Sequence, residues 1–109
     1  MKVPFSLAIF LGLFLSISAL PLSADVESSY KKHCRNCHAW GANGAPRTGL
    51  ASDWDKRMQK GLADVLANLK TGLGTMPARG SCNECSDAEL EGLIRFISNE
   101  KNKHWFFGK

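Results

Sequence analysis

The stretch His33-Cys34-Arg35-Asn36-Cys37-His38 sets two thiols two residues apart, with an imidazole directly behind the second. Such a pair can close a disulfide, hold zinc, cycle as a redox dithiol or attach haem. Only haem attachment uses all three residues. Two thiols on one turn add across the two vinyl groups of the porphyrin, and the adjacent imidazole then lies beneath the iron; C-x-x-C-H is the attachment sequence of c-type haem. Cys34 and Cys37 would tether one haem c, and His38 would supply the proximal nitrogen. A second pair, Cys82 and Cys85, has flanks unlike the first. Ligand spacing permits a zinc site of Cys34, Cys37, Cys82 and Cys85, yet that site leaves His38 idle. A thioredoxin-like dithiol needs a strand before the motif and a parallel sheet, of which the chain shows no sign.

A bound iron raises the question of a sixth ligand. Met58 lies at helical spacing from Trp54 and reads as packing. Met76 lies in Gly74-Thr75-Met76-Pro77, where no helix claims it, and a loop thioether can turn inward while its backbone stays irregular. Met76 is therefore the expected distal ligand, with gap filling as the plainer alternative. His33 is too near the attachment turn to cross to the far face, and His104 lies beyond the last helix.

These groups need elements to hold them. With 109 residues the chain has room for one domain. Residues 1–24 combine Lys2, an apolar run from Phe5 to Leu20 and a small-residue exit at Leu22-Ser23-Ala24, the layout of a secretory signal cleaved after Ala24. An uncleaved anchor over Val3 to Leu22 is the alternative, and would be the only route to a membrane. Export puts the cysteines where disulfides persist. Setting Lys2 aside leaves 13 of the 14 Lys and Arg against 10 Asp and Glu. That mild basicity, without a Lys/Arg run, argues against nucleic acid.

Within residues 25–109 the pattern predicts about four short helices. Val26 to Cys34 sets Val26, Tyr30 and Cys34 on one face. Gly41 to Gly49 reads as loop. Ser52 is placed to cap a helix running to Lys60. Leu62, Val65, Leu66 and Leu69 form the stripe of a third helix closed by Gly72. Ser86-Asp87-Ala88-Glu89 is a capping box, followed by Leu90, Leu93, Ile94 and Ile97 at helical spacing. No segment alternates as a strand does. The apolar residues are too few to make a large core alone.

Taken together, Cys34-x-x-Cys37-His38, Gly44-Ala45-Pro46, Trp54 with Arg57, Met76-Pro77 and the pair Cys82 and Cys85 resemble the class I c-type cytochromes, most of all the bacterial cytochrome c5 family. The likeness runs from about Tyr30 to Phe96. It implies an all-α fold wrapped around one covalent haem, and a disulfide between Cys82 and Cys85. It implies that the Pro46 carbonyl holds the free N–H of His38, and that Tyr30 packs the first helix onto the last near Phe96. Trp54 and Arg57 match positions near the haem propionates. The tail Lys103-His104-Trp105-Phe106-Phe107 matches no family role; it covers core or offers a partner surface.

The resemblance leads to a monohaem electron carrier of the periplasm, monomeric or a weak dimer, passing electrons between redox partner proteins rather than acting as an enzyme. Met as sixth ligand raises the potential relative to two imidazoles. Lys31, Lys32, Arg35 and Arg79 lie near the attachment turn or the Met loop, where a basic rim would steer acidic partners; an ordinary solvated surface is the alternative. A catalytic or gas-sensing haem protein with a labile Met76 is the rival function.

Overall fold

The computed structural model describes residues 11–17 and 22–105. Residues 1–10 and 18–21 of the expected export segment lie outside the described residues, as do Phe106 and Phe107. Among the described residues there is no strand, only one isolated bridge between Leu73 and Met76, and no helix long and apolar enough to cross a membrane.

Among the described residues five α-helices make the frame: α1 (Leu22–Ser29), α2 (Arg35–His38), α3 (Ala51–Met58), α4 (Leu62–Thr71) and α5 (Asp87–Ser98). Helix α1 opens ahead of the expected boundary at Ala24. One π-helical turn, Tyr30–Cys34, joins α1 to α2, with the Arg35 N–H reaching back to the Tyr30 carbonyl. The helix predicted over Val26 to Cys34 is thus longer at both ends and carries one wide turn. The wide turn shifts the register of the apolar face: Val26 and Tyr30 are buried, whereas Cys34 is only half-buried.

Helix α5 is built as its sequence predicts. Ser86 accepts from the Glu89 N–H at 3.1 Å and Glu89 accepts from the Ser86 N–H at 2.9 Å. These two bonds satisfy N–H groups that a helix start leaves orphaned. Leu90, Leu93, Ile94 and Ile97 are buried. Helix α1 packs on α5, where Gly92 has no side chain to hold it off; a Cβ there would lie 3.0 Å from Val26 Cγ2. The Tyr30 and Phe96 rings meet at 4.9 Å between centroids, so Tyr30 joins the first and last helices.

Helix α3 departs from expectation. Ser52 does not cap it; the cap residue is Leu50, in extended conformation, and Ser52 sits exposed inside the first turn. The Leu50 carbonyl accepts from the N–H groups of Asp53 and Trp54 at 2.9 and 3.2 Å, which starts the helix earlier. It also ends at Met58 rather than Lys60, where Gly61 turns the chain toward α4.

The core gathers Val26, Tyr30, Trp54, Cys82, Cys85, Leu90, Leu93 and Ile97, with Met58, Leu66, Leu69, Phe96 and Trp105 packed against it. Trp105 closes a short 3₁₀ segment, Glu100–Trp105. Its ring lies 5.5 Å from Tyr30 and 6.4 Å from Phe96, so this part of the tail covers core.

Candidate functional site

Two of the cysteines are bonded and two are free. Cys82 and Cys85 form a disulfide with their Cα atoms 5.4 Å apart, while Cys34 and Cys37 are free thiols. A four-cysteine zinc site is therefore ruled out, because a disulfide sulfur offers no thiolate to a metal. Ligand atoms of His33, Cys82 and Glu84 do lie within 4.8 Å of one another, and the same disulfide removes Cys82 from that group. Burial, and then the neighbouring Cys37, push the Cys34 thiol up to about 12. A redox dithiol or thiolate ligand needs the opposite shift.

His38 ends α2 and is buried, 7 % exposed. Its Nδ1 lies 2.7 Å from the Pro46 carbonyl. A carbonyl can only accept, so Nδ1 carries the ring proton and Nε2 keeps its lone pair. Burial lowers the imidazole below its ordinary range; the Pro46 bond opposes this shift and the Arg57 charge reinforces it. The Trp54 ring stacks on His38 at 6.2 Å between centroids, tilted by 30°. Trp54 is fixed in turn by an Nε1–H bond to the Arg47 carbonyl at 2.8 Å.

Arg47 and Asp53 brace the loop before α3. Asp53 accepts from the Arg47 main-chain N–H at 2.9 Å and from its guanidinium at 2.8 and 3.1 Å. Those bonds hold the Asp53 carboxyl at about 2. A shallow cleft of about 340 Å³ opens here, lined by Trp40, Gly41, Pro46, Arg47, Asp53 and Arg57 among others. Two guanidiniums and an exposed Trp40 border it.

Met76 sits in a tight turn closed by reciprocal bonds with Leu73, at 3.1 Å from the Leu73 N–H and 3.0 Å from the Met76 N–H. Gly72 leaves room for this turn. At φ +85° it lies against the returning chain, and a Cβ there would stand 2.8 Å from the Met76 carbonyl oxygen. The thioether methyl lies over Gly80, 3.6 Å from where a Cβ would be, beside Leu69 of α4. Met58, by contrast, packs against the hydrophobic core, as its spacing from Trp54 implies.

The segment after Met76 is drawn to the attachment turn. The π turn holding Cys34 contacts the 3₁₀ segment Ala78–Ser81, and His33 Nε2 lies 2.9 Å from Glu84 Oε1 in the disulfide loop. The structure thus brings Pro46 and Trp54 onto His38, and the Met76 methyl over Gly80. The expected basic rim is partly paired, with Glu84 shared between Lys32 and His33 and Asp87 between Lys70 and Arg79. Lys31 pairs with Glu27, Lys32 with Glu84 and Arg79 with Asp87, and Lys31 and Arg35 also lie over the Trp105 ring. Sequence patterns carry no sign of the Arg47–Asp53 brace, since neither residue belongs to a motif.

The residues present fit a covalently held haem. Two unpaired thiols precede an imidazole whose second nitrogen is already committed, and a soft thioether stands on a separate turn. Comparison with known proteins points the same way. A family model described as cytochrome C oxidase, cbb3-type, subunit III, matches residues 22–97. Cytochrome c5 of Ectopseudomonas mendocina is 42% identical over 69 residues, which span 62% of this chain and 79% of that protein. Cytochrome c-555 of Prosthecochloris aestuarii is 32% identical over 85 residues, 71% of this chain and 86% of its own. Among solved structures, a chain from an electron transfer complex of nitrite reductase with cytochrome c is similar at a TM-score of 0.62 and 30% identity. That match covers 66% of this chain and 88% of its counterpart.

Proposed function

Since this chain belongs to the class I c-type cytochromes and is c5-like, we propose that it shuttles single electrons between exported redox partners of a respiratory-type chain. Membership makes it a monohaem c-type electron carrier with covalently attached haem c. The finer assignments are these. Cys34 and Cys37 would form the two thioethers, His38 Nε2 and the Met76 thioether would hold the iron, and Pro46 fixes the His38 tautomer. Arg57, in the cleft beside Pro46, would pair with the propionates. Residues 1–24 direct export to the periplasm and are removed there.

One observation carries the reading. His38 donates Nδ1–H to Pro46 at 2.7 Å directly behind two free thiols, while the other two cysteines are locked in a disulfide. Haem supplies a one-electron centre. The chain's own residues decide what that centre does. The Pro46 carbonyl raises the basicity of the imidazole, and the Met76 thioether, as a second ligand, would favour the reduced state. With His38 and Met76 both holding the iron, no position would be left for substrate, and the protein would carry electrons rather than act as an enzyme. Its docking is expected to weaken only modestly as salt rises, because Lys31, Lys32 and Arg79 have carboxylate partners, two of them shared with His33 and Lys70.

The test is a visible spectrum of the purified exported protein with two methionine variants. Wild type should be low-spin, with the weak far-red sulfur-to-iron band in the ferric form. Met76→Ala should abolish the band, lower the potential and admit carbon monoxide or cyanide. Met58→Ala should change none of these, costing at most about 2–5 kcal/mol of packing. A wild-type protein that binds carbon monoxide readily would replace the carrier with a catalytic or sensory haem protein.

A further inference from the structure

Thr48 is a polar residue in a loop, yet it is 0 % exposed. A buried hydroxyl requires partners, and this one has two. Its Oγ1 donates to the His38 carbonyl at 3.3 Å and lies 2.8 Å from the Tyr30 hydroxyl. A threonine hydroxyl has one proton. With that proton on His38, Tyr30 must be the donor to Thr48. The result is a relay of one direction, from Tyr30 through Thr48 to the carbonyl of His38. Burial raises the Tyr30 pKa, which keeps the phenol protonated as a donor.

The Thr48 main-chain N–H reaches the same carbonyl at 2.9 Å. This carbonyl belongs to the last residue of α2, where helix carbonyls have lost their intrahelical partners. Two residues earlier, Pro46 accepts from the His38 ring. Residues 46–48 therefore grip His38 at both its main chain and its imidazole. The next residue pins the loop to the rest of the fold. Gly49 donates its N–H to the Ile97 carbonyl at 2.8 Å. At φ +73° it also lies so close to the C-terminal segment that a Cβ would stand 2.6 Å from Lys103 Cα.

We infer that Thr48 is a positioning residue for His38: the Tyr30–Thr48 hydroxyl relay holds the His38 main chain so that the Pro46 carbonyl keeps its bond to the ring. The relay thereby tunes the basicity that His38 offers to iron. This rests on the reading of His38 as an axial ligand.

The test uses the haem-loaded protein. Thr48→Val removes the hydroxyl and keeps the N–H and the branched shape. A looser His38–Pro46 bond makes the ring less basic and the ferric state less favoured. At a fixed ambient potential, the ratio of reduced to oxidised protein should rise at least about twofold, the scale of one weakened hydrogen bond. The ferric NMR resonances of the His38 ring should shift as well. Thr48→Ser should restore both. Tyr30→Phe deletes only the donor, should move both in the same direction, and serves if the valine variant fails to fold. Leu93→Ala should lower unfolding stability and leave ratio and resonances at wild type. The inference falls if the Thr48→Val and Tyr30→Phe proteins match wild type, or if Leu93→Ala moves the ratio equally. Wild-type resonances without histidine ligation would sink the axial-ligand reading and this inference with it; a normal wild type with unresponsive variants sinks the inference alone.

Discussion

At the scale of single residues, the clearest consequence of a side-chain pair is at Asp53. Arg47 holds its carboxyl at about 2, through the guanidinium bonds first and the main-chain N–H second, against an ordinary value of 3.8. A pKa depressed by folding stabilises the fold above the unfolded value and loses that contribution as pH falls through the folded one. The unfolding free energy of wild type should therefore decline as pH drops from about 4 to about 2. Asp53→Asn should be less stable than wild type at neutral pH, with the gap closing across that window. Denaturant titrations at several pH values read this directly; a gap independent of pH would mean the carboxylate charge contributes nothing. The same scale shows what local pattern can convey. The proposed haem residues Cys34, Cys37 and His38 stand out in the sequence because the chemistry proposed for them depends on spacing within one turn. Asp53 does not, because its partner is recognised only once the loop before α3 has folded back on it.

At the scale of elements, the disulfide loop illustrates a choice that spacing leaves open. Cys82 and Cys85 suit a metal ligand pair or a tight ring equally well, and the structure closes the ring beside the π turn. The loop is tied to that turn by His33 with Glu84, and to α5 through Arg79 of the preceding 3₁₀ segment, which donates to the Cys85 carbonyl and pairs with Asp87. Replacing both cysteines with alanine should lower stability by about 2 kcal/mol, the loop-entropy value for so short a ring. Haem should stay attached, which mass spectrometry of the purified variant measures. Loss of haem in that variant would give the pair a role at the site. Helix α5 is readable to its cap because caps and apolar stripes are local. Helix α3 starts ahead of its pattern, since Ser52 has the right chemistry for a cap but the Leu50 carbonyl reaches the first N–H groups sooner. The π turn leaves no mark in the pattern, because an extra residue in a helix shows only where its hydrogen bonds fall.

At the scale of the whole molecule, the buried core is small and much of it lies along α1 and α5. A chain this short gains little from burial alone, so the haem is expected to supply missing apolar mass. The double variant Cys34→Ala and Cys37→Ala, made without attached haem, should lose most of its helical circular dichroism; a native-like signal would show that the five helices stand on their own. What the amino-acid sequence determined by itself was the chemistry and the helical class. The attachment turn, the Met76-Pro77 loop and the capped apolar stripe of α5 all follow from neighbours within a turn or two. Tertiary structure alone decided the rest. It buried Thr48 between Tyr30 and His38, laid Trp105 over Tyr30 and Phe96, and set Glu27, Glu84 and Asp87 against cations that read as a basic rim. Each of these is an encounter between surfaces of packed elements, and periodicity describes one element at a time.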